Sequence, residues 1–297
     1  MSKSNIKGTI TALVTPFKSD LSIDFVAFEK LITYQIESNV EGILVCGSTG
    51  ESATLSPKEK LSLIIKAVEI SAGRVPIIAG TGTNSTSDSI DMTLLAKEHG
   101  ANAVLLVAPY YNKPSQEGLY HHYLTISESV DIPQIIYNVP GRSGINISAE
   151  TQLMIAENCE NVVATKEASG NLEQMATIIK YAPKGFELYC GDDALAMQAI
   201  SLGAIGVISV ISNYAPFEFS ESIRKALNGY FDNARQIYYK LLDLMKLNFI
   251  ESNPVPAKAA LSLMNMLENY VRLPLTPITD INNAKIKEAL LNAGLIK

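Results

Sequence analysis

Residues 42–72 read GILVCGSTGESATLSPKEKLSLIIKAVEISA, and the order of features within them decides the fold. The stretch opens on a short apolar, β-branched run, Gly42 to Gly47, of the kind that forms a strand buried on both faces. It turns through Ser48, Thr49 and Gly50, then enters a helical pattern over Pro57 to Ala72, with Ser56 as N-cap and Pro57 at the first helical position. A strand, a turn and a crossover helix make one β/α unit.

Outward from this unit the same alternation recurs. Strand-like runs lie at Thr9 to Phe17, Val75 to Gly82, Ala103 to Tyr110, Pro133 to Pro140, Val162 to Ser169, Glu187 to Asp193 and Gly206 to Ser212, which brings the total to eight. The connections are long enough for helices; one covers Ile23 to Asn39, with Phe25, Phe28, Leu31, Ile32 and Ile36 on one stripe. Eight strands buried on both faces, each followed by a helix, predict an α/β fold closed into a parallel (β/α)8, or TIM, barrel. From about Phe217 the pattern is helical only, and Tyr230 to Phe249, Pro256 to Glu268 and Asn282 to Ala293 read as additional C-terminal helices. Residues 1–216 are therefore expected to hold the barrel strands and the reactive face. Residues 217–297 would hold the last barrel helix and a helical appendage of the same structural unit, with no linker-like shift in composition between them.

Composition narrows the function. Hydrophobic residues are 47% and charged residues 18%, a globular balance that excludes disorder and fibre architectures. The 24 basic and 30 acidic residues leave a net charge of −6, which provides no cationic field for nucleic acid or an anionic bilayer. The opening MSKSNIKGTITALVTPF has no apolar leader region, and no run approaches the length of a membrane span, so a soluble, unprocessed protein is expected. Cys46, Cys159 and Cys190 are too far apart for a C-x-x-C pair, which argues against a disulfide framework or thiolate zinc and fits a reducing cytoplasm. His99, His121 and His122 make no convincing metal cluster, since adjacent side chains on a helix diverge by about 100°. No metal is expected.

In such a barrel the reactive groups gather at the carboxyl ends of the strands. Lys166 stands in the sixth run, among residues expected to line the barrel interior, where burial favours the neutral, nucleophilic amine. That amine can form an imine with a ketone or aldehyde, and the protonated imine stabilises an adjacent carbanion. The ordinary alternative is a lysine that reaches solvent or pairs with Glu167. Gly47-Ser48-Thr49-Gly50 lacks the spacing and lysine of a phosphate loop, but its glycines and hydroxyls could hold a small carboxylate; a plain strand-to-helix turn is equally compatible. Tyr137 closes an apolar strand and could pass protons or simply fill the core. Arg142 follows closely and could hold a carboxylate in bidentate fashion or lie on a surface loop. Tyr110-Tyr111 is an aromatic pair more often used for packing.

Several motifs in register bear on these alternatives: GSTGESATL (47–55), IIAGTGTN (77–84), APYYNKPSQEGLY (108–120), YNVPGRSG (137–144), TKEASGN (165–171), GDD (191–193), GVISVISN (206–213) and ESNPVPAK (251–258). Through them the chain resembles the dihydrodipicolinate synthase family, within the pyruvate-dependent class I aldolases and lyases. The resemblance implies that Lys166 forms a Schiff base with pyruvate and that Ser48, Tyr137 and Tyr111 form a proton relay, with Tyr111 donated across a dimer interface. It implies that Thr49 and the backbone around Ile208 hold pyruvate, and that Arg142 binds the carboxylate of L-aspartate 4-semialdehyde. Ser48 departs from the threonine of many members, keeping the hydroxyl but losing the β-branch that fixes its rotamer. No cofactor is implied, because the lysine itself is the electron sink. The resemblance further implies a homo-oligomer, a dimer or a dimer of dimers. The rival readings are another Schiff-base lyase of the superfamily, acting on N-acetylneuraminate or a 2-keto-3-deoxy sugar acid, and a non-catalytic keto-acid-binding barrel. Arg142 argues against the sugar-acid enzymes, whose second substrate offers hydroxyls in place of a short carboxylate.

Overall fold

Strands β1 (Gly8–Ala12), β2 (Gly42–Val45), β3 (Ile77–Gly80), β4 (Ala103–Val107), β5 (Gln134–Asn138), β6 (Val162–Glu167), β7 (Glu187–Cys190) and β8 (Gly206–Ser209) pair in parallel in chain order, and β8 pairs with β1 to close the barrel. The computed structural model describes residues 6–297; the reading of the N-terminus as leaderless falls in part on residues 1–5, outside them. At the closing seam Gly8 is the register partner of Gly206, and a Cβ on Gly206 would fall on the Gly8 carbonyl oxygen, so only glycine lets the two strands approach.

The helices of the outer layer are α1 (Phe25–Glu37), α2 (Pro57–Ser71), α3 (Thr86–Glu98), α4 (Gln116–Ser129), the single turn α5 (Pro140–Ser143), α6 (Ala149–Asn158), α7 (Leu172–Tyr181), α8 (Ala196–Leu202) and α9 (Pro216–Leu227). Then α10 (Phe231–Leu247), α11 (Val255–Leu263) and α12 (Asp280–Ala293) complete the chain, with α10 packed on α9 and α12 packed on α10 and α11. Helix α2 starts as its sequence requires: Ser56 and Glu59 form a reciprocal capping box and Pro57 occupies the first turn. Among the described residues no helix is long and apolar enough to cross a membrane.

Two apolar layers result from the pleat. Ile10, Leu44, Ile78, Leu105, Ile135 and Ile208 fill the barrel interior, and a larger cluster fills the space between strands and helices.

Three sequence expectations are corrected. The strands are shorter than the apolar runs, because the runs continue into loops; the seventh ends at Cys190, where Asp192 caps a short 3-10 turn. Helix α1 buries Ala27, Phe28, Leu31, Ile32 and Gln35, while Phe25 is 37% exposed. Gln35 takes the inner face because its amide is satisfied there, accepting from the Thr11 hydroxyl at 2.7 Å and donating to the Asn213 carbonyl. The helix expected over Pro256 to Glu268 stops at Leu263, where Asn265 turns left-handed at φ 57°.

Candidate active site

A cavity of about 350 Å³ opens where the carboxyl ends of β2 to β5 meet the segment around Asn253, with Ser48, Lys60, Tyr110, Tyr137 and Arg142 on its wall. Gly80 allows this convergence, since a Cβ there would strike the Cys46 carbonyl of the β2 loop.

Tyr137 and Lys166 are register partners on β5 and β6, so both side chains leave the sheet on the same, inner face. Lys166 is 5% exposed, and its Nζ lies 4.4 Å from the centroid of the Tyr137 ring. Tyr137 lines the cavity, and Lys166 itself does not.

Glu167 does not pair with Lys166, the alternative that the sequence left open. One step along β6, it faces the opposite side of the sheet, into the helix layer, and is fully buried. Its carboxylate accepts from Asn138 Nδ2 (2.9 and 3.1 Å), Gln152 Nε2 (2.9 Å), Gln174 Nε2 (2.9 Å) and the Ser169 N–H (2.8 Å). These donors satisfy the buried charge in place of a cation. Because Asn138 is its register partner, the same bonds tie β5 to β6 one residue beyond Tyr137 and Lys166.

The β2 loop carries Ser48 and Thr49. Its left-handed residues are Cys46 (φ 57°) and Glu51 (φ 55°), and neither Gly47 nor Gly50 has a positive φ. Glu51 is held there from the far end of the chain: its Oε1 pairs with Lys258 Nζ at 2.5 Å and its Oε2 accepts the Arg272 N–H at 3.1 Å. Lys258 Nζ also lies 4.2 Å from the Phe17 ring centroid and donates to the Tyr270 carbonyl. Burial pulls its amine down to about 8 against the opposing pull of Glu51. Arg272 reaches on to Glu59, whose carboxyl it holds down to about 2.

Arg142 rides on the α5 turn, started by Pro140 and ended by Gly144 at φ 74°, and its Nη2 donates to the Asn253 carbonyl at 3.2 Å. Asn253 Nδ2 in turn donates to Thr49 Oγ1 at 2.9 Å. Ile208 is buried on β8 in the barrel interior, and the turn that follows is held by Asp193 Oδ2, which accepts from the Val210 and Ile211 N–H groups at 3.0 and 2.8 Å. Burial pushes the Asp193 carboxyl up to about 6. Tyr111 is not gathered in: it is 89% exposed, at φ 73°, and does not line the cavity of its own chain.

Sequence reasoning missed Glu51, Lys258, Asn253 and Glu167. The signal was present, since Glu51 sits in GSTGESATL, Glu167 in TKEASGN and both Asn253 and Lys258 in ESNPVPAK.

Fold and site together are those of a (β/α)8-barrel enzyme that carries a buried lysine at the carboxyl end of its sixth strand. The family model described as the dihydrodipicolinate synthetase family matches residues 5–293, and the chain belongs to that family. It is 47% identical over 290 residues to a protein named 4-hydroxy-tetrahydrodipicolinate synthase from Endomicrobium trichonymphae, covering 98% of this chain and 99% of the relative. The crystal structure of dihydrodipicolinate synthase from Aquifex aeolicus superposes with a TM-score of 0.95 at 46% identity, over 97% of this chain and 98% of that one. The chloride-inhibited dihydrodipicolinate synthase from Acinetobacter baumannii, complexed with pyruvate, superposes with a TM-score of 0.96 at 42% identity, over 98% of this chain and 100% of that one.

Proposed function

We propose that the protein is a 4-hydroxy-tetrahydrodipicolinate synthase, a lyase that condenses pyruvate with L-aspartate 4-semialdehyde. The observation that carries this reading is the pairing of Lys166 and Tyr137 on adjacent strands, beside a cavity with Arg142 on its wall.

The Lys166 amine adds to the ketone carbon of pyruvate and water leaves, giving an imine; loss of a methyl proton gives the enamine. The enamine carbon attacks the aldehyde carbon of the second substrate. That substrate's own amine then displaces Lys166 from the imine carbon, which closes the ring and returns the free enzyme. Tyr137, over which the amine lies, carries protons to and from the departing oxygen, with Ser48 and the partner subunit's Tyr111 completing the relay. Thr49 and the β8 backbone at Ile208 hold the pyruvate carboxylate, and Arg142 takes the carboxylate of the semialdehyde. With Tyr111 taken from a partner subunit, as the family resemblance implies, the working unit is at least a dimer; within its own chain Tyr111 is exposed and does not line the cavity. Three buried free cysteines suit a reducing compartment, the cytoplasm.

Intact-mass measurement after pyruvate and borohydride tests the reading. One pyruvate-derived adduct is expected on the peptide containing Lys166 and none on Lys166→Ala. An adduct elsewhere, or on the variant, would remove Lys166 from its role. A coupled assay with the semialdehyde separates this reaction from that of a sugar-acid lyase.

A further inference from the structure

The stretch ESNPVPAK lies some two hundred residues from the β2 loop in sequence, yet one of its residues touches both groups proposed to hold substrate carboxylates. Asn253 is 5% exposed, in the cavity wall. Its side chain makes one hydrogen bond among the described residues, from Nδ2 to Thr49 Oγ1 at 2.9 Å, while its amide oxygen Oδ1 is buried with no partner. Its main-chain carbonyl accepts from Arg142 Nη2. Other buried amides, Asn248 Nδ2 included, also leave one end without a partner among the described residues, so what distinguishes Asn253 is the partner of its Nδ2, the Thr49 hydroxyl.

We infer that Asn253 is a positioning residue for pyruvate, which fixes the polarity of the Thr49 hydroxyl and thereby turns its proton toward the substrate carboxylate. An amide NH₂ can only donate. Accepting it occupies a lone pair of Thr49 Oγ1 and leaves the O–H free to donate, so the hydroxyl is preset as a donor before the anion arrives. A preset donor spares the reorientation that a freely rotating hydroxyl would undergo on binding. The Arg142 contact is made by the Asn253 main chain and does not depend on the side chain, so the two substrates should respond differently to its removal.

The inference rests on the reading of Thr49 as the pyruvate anchor, and the test keeps the two separable. Asn253→Ala and the volume-preserving Asn253→Leu are each made in the wild-type and Thr49→Val backgrounds, and KM for both substrates is measured with borohydride trapping on Lys166. In the wild-type background either variant should raise KM for pyruvate about tenfold and leave KM for the semialdehyde within about twofold. In the Thr49→Val background the same change should add less than about twofold, because the hydroxyl through which Asn253 acts is gone. A tenfold rise in both backgrounds, or an equal rise for both substrates, would overturn the positioning role. Failure of the wild-type protein to trap pyruvate at Lys166 would instead overturn the proposed function.

Discussion

Lys258 and Glu51 pair at 2.5 Å with side chains 0% and 1% exposed, and they join the last quarter of the chain to the loop after β2. Removing one partner strands the other as a buried charge, which costs about 3–5 kcal/mol, more than the pair itself is worth. Lys258→Met should therefore destabilise the protein by that amount in urea unfolding. Adding Glu51→Gln to it should restore a large part, since no unpaired charge is then left. A single variant as stable as wild type would show that Glu51 finds another partner.

Arg142→Ala should impair use of the semialdehyde far more than imine formation, by about 2–5 kcal/mol in kcat/KM, because a carboxylate loses its bidentate partner. Borohydride trapping with pyruvate alone should stay near wild type. Equal loss of trapping and turnover would mean that Arg142 serves the cavity wall through its contact with Asn253.

Tyr111 is 89% exposed and does not line the cavity of its own chain, and the proposed relay takes this tyrosine from a second subunit. Mixing an inactive Tyr111→Phe chain with an inactive Lys166→Ala chain should restore one complete site in each mixed dimer. No recovery after verified subunit exchange would place Tyr111 outside the relay.

His122 is buried, with Nδ1 2.9 Å from the Thr86 hydroxyl and Nε2 without a partner among the described residues, and burial pulls it from 6.5 down to about 4. The folded protein therefore binds fewer protons than the unfolded chain between these values. The stability that neutral His122 contributes is complete above pH 6.5 and is lost as pH falls toward 4. Wild type should lose about 2 kcal/mol relative to His122→Gln between pH 7 and pH 5. Chemical denaturation of both proteins at the two pH values measures it, and a difference independent of pH would mean that the imidazole is protonated in place.

The barrel was legible because a parallel strand buried on both faces writes a continuous apolar run, and a capped helix after it writes its own start, as at Ser56 and Pro57. Lys166 and Tyr137 were legible as polar groups at the ends of such runs. Glu167 was not, because its neighbour had drawn the same adjacency into a possible ion pair, and only the pleat sends the two side chains to opposite faces. Asn253 and Lys258 were illegible for another reason: their meaning depends on meeting Thr49 and Glu51 across most of the chain. Phe25 misled because its spacing fits the apolar stripe, while the polar Gln35 earns the inner position through its hydrogen bonds.

The anchoring of the β2 loop by Asn253, Lys258 and Arg272 also bears on how the protein is made. The eighth strand is synthesised by Ser209, but the roughly 45–50 residues that carry the chain to Asn253 and Lys258 take about 2–10 s more at translation rates of about 5–20 residues per second. During that interval a nascent barrel would hold Lys166 and Tyr137 while Thr49 lacks its donor and Glu51 its cation. Lys166 and Tyr137 are thus synthesised seconds before the residues that anchor the loop carrying Thr49.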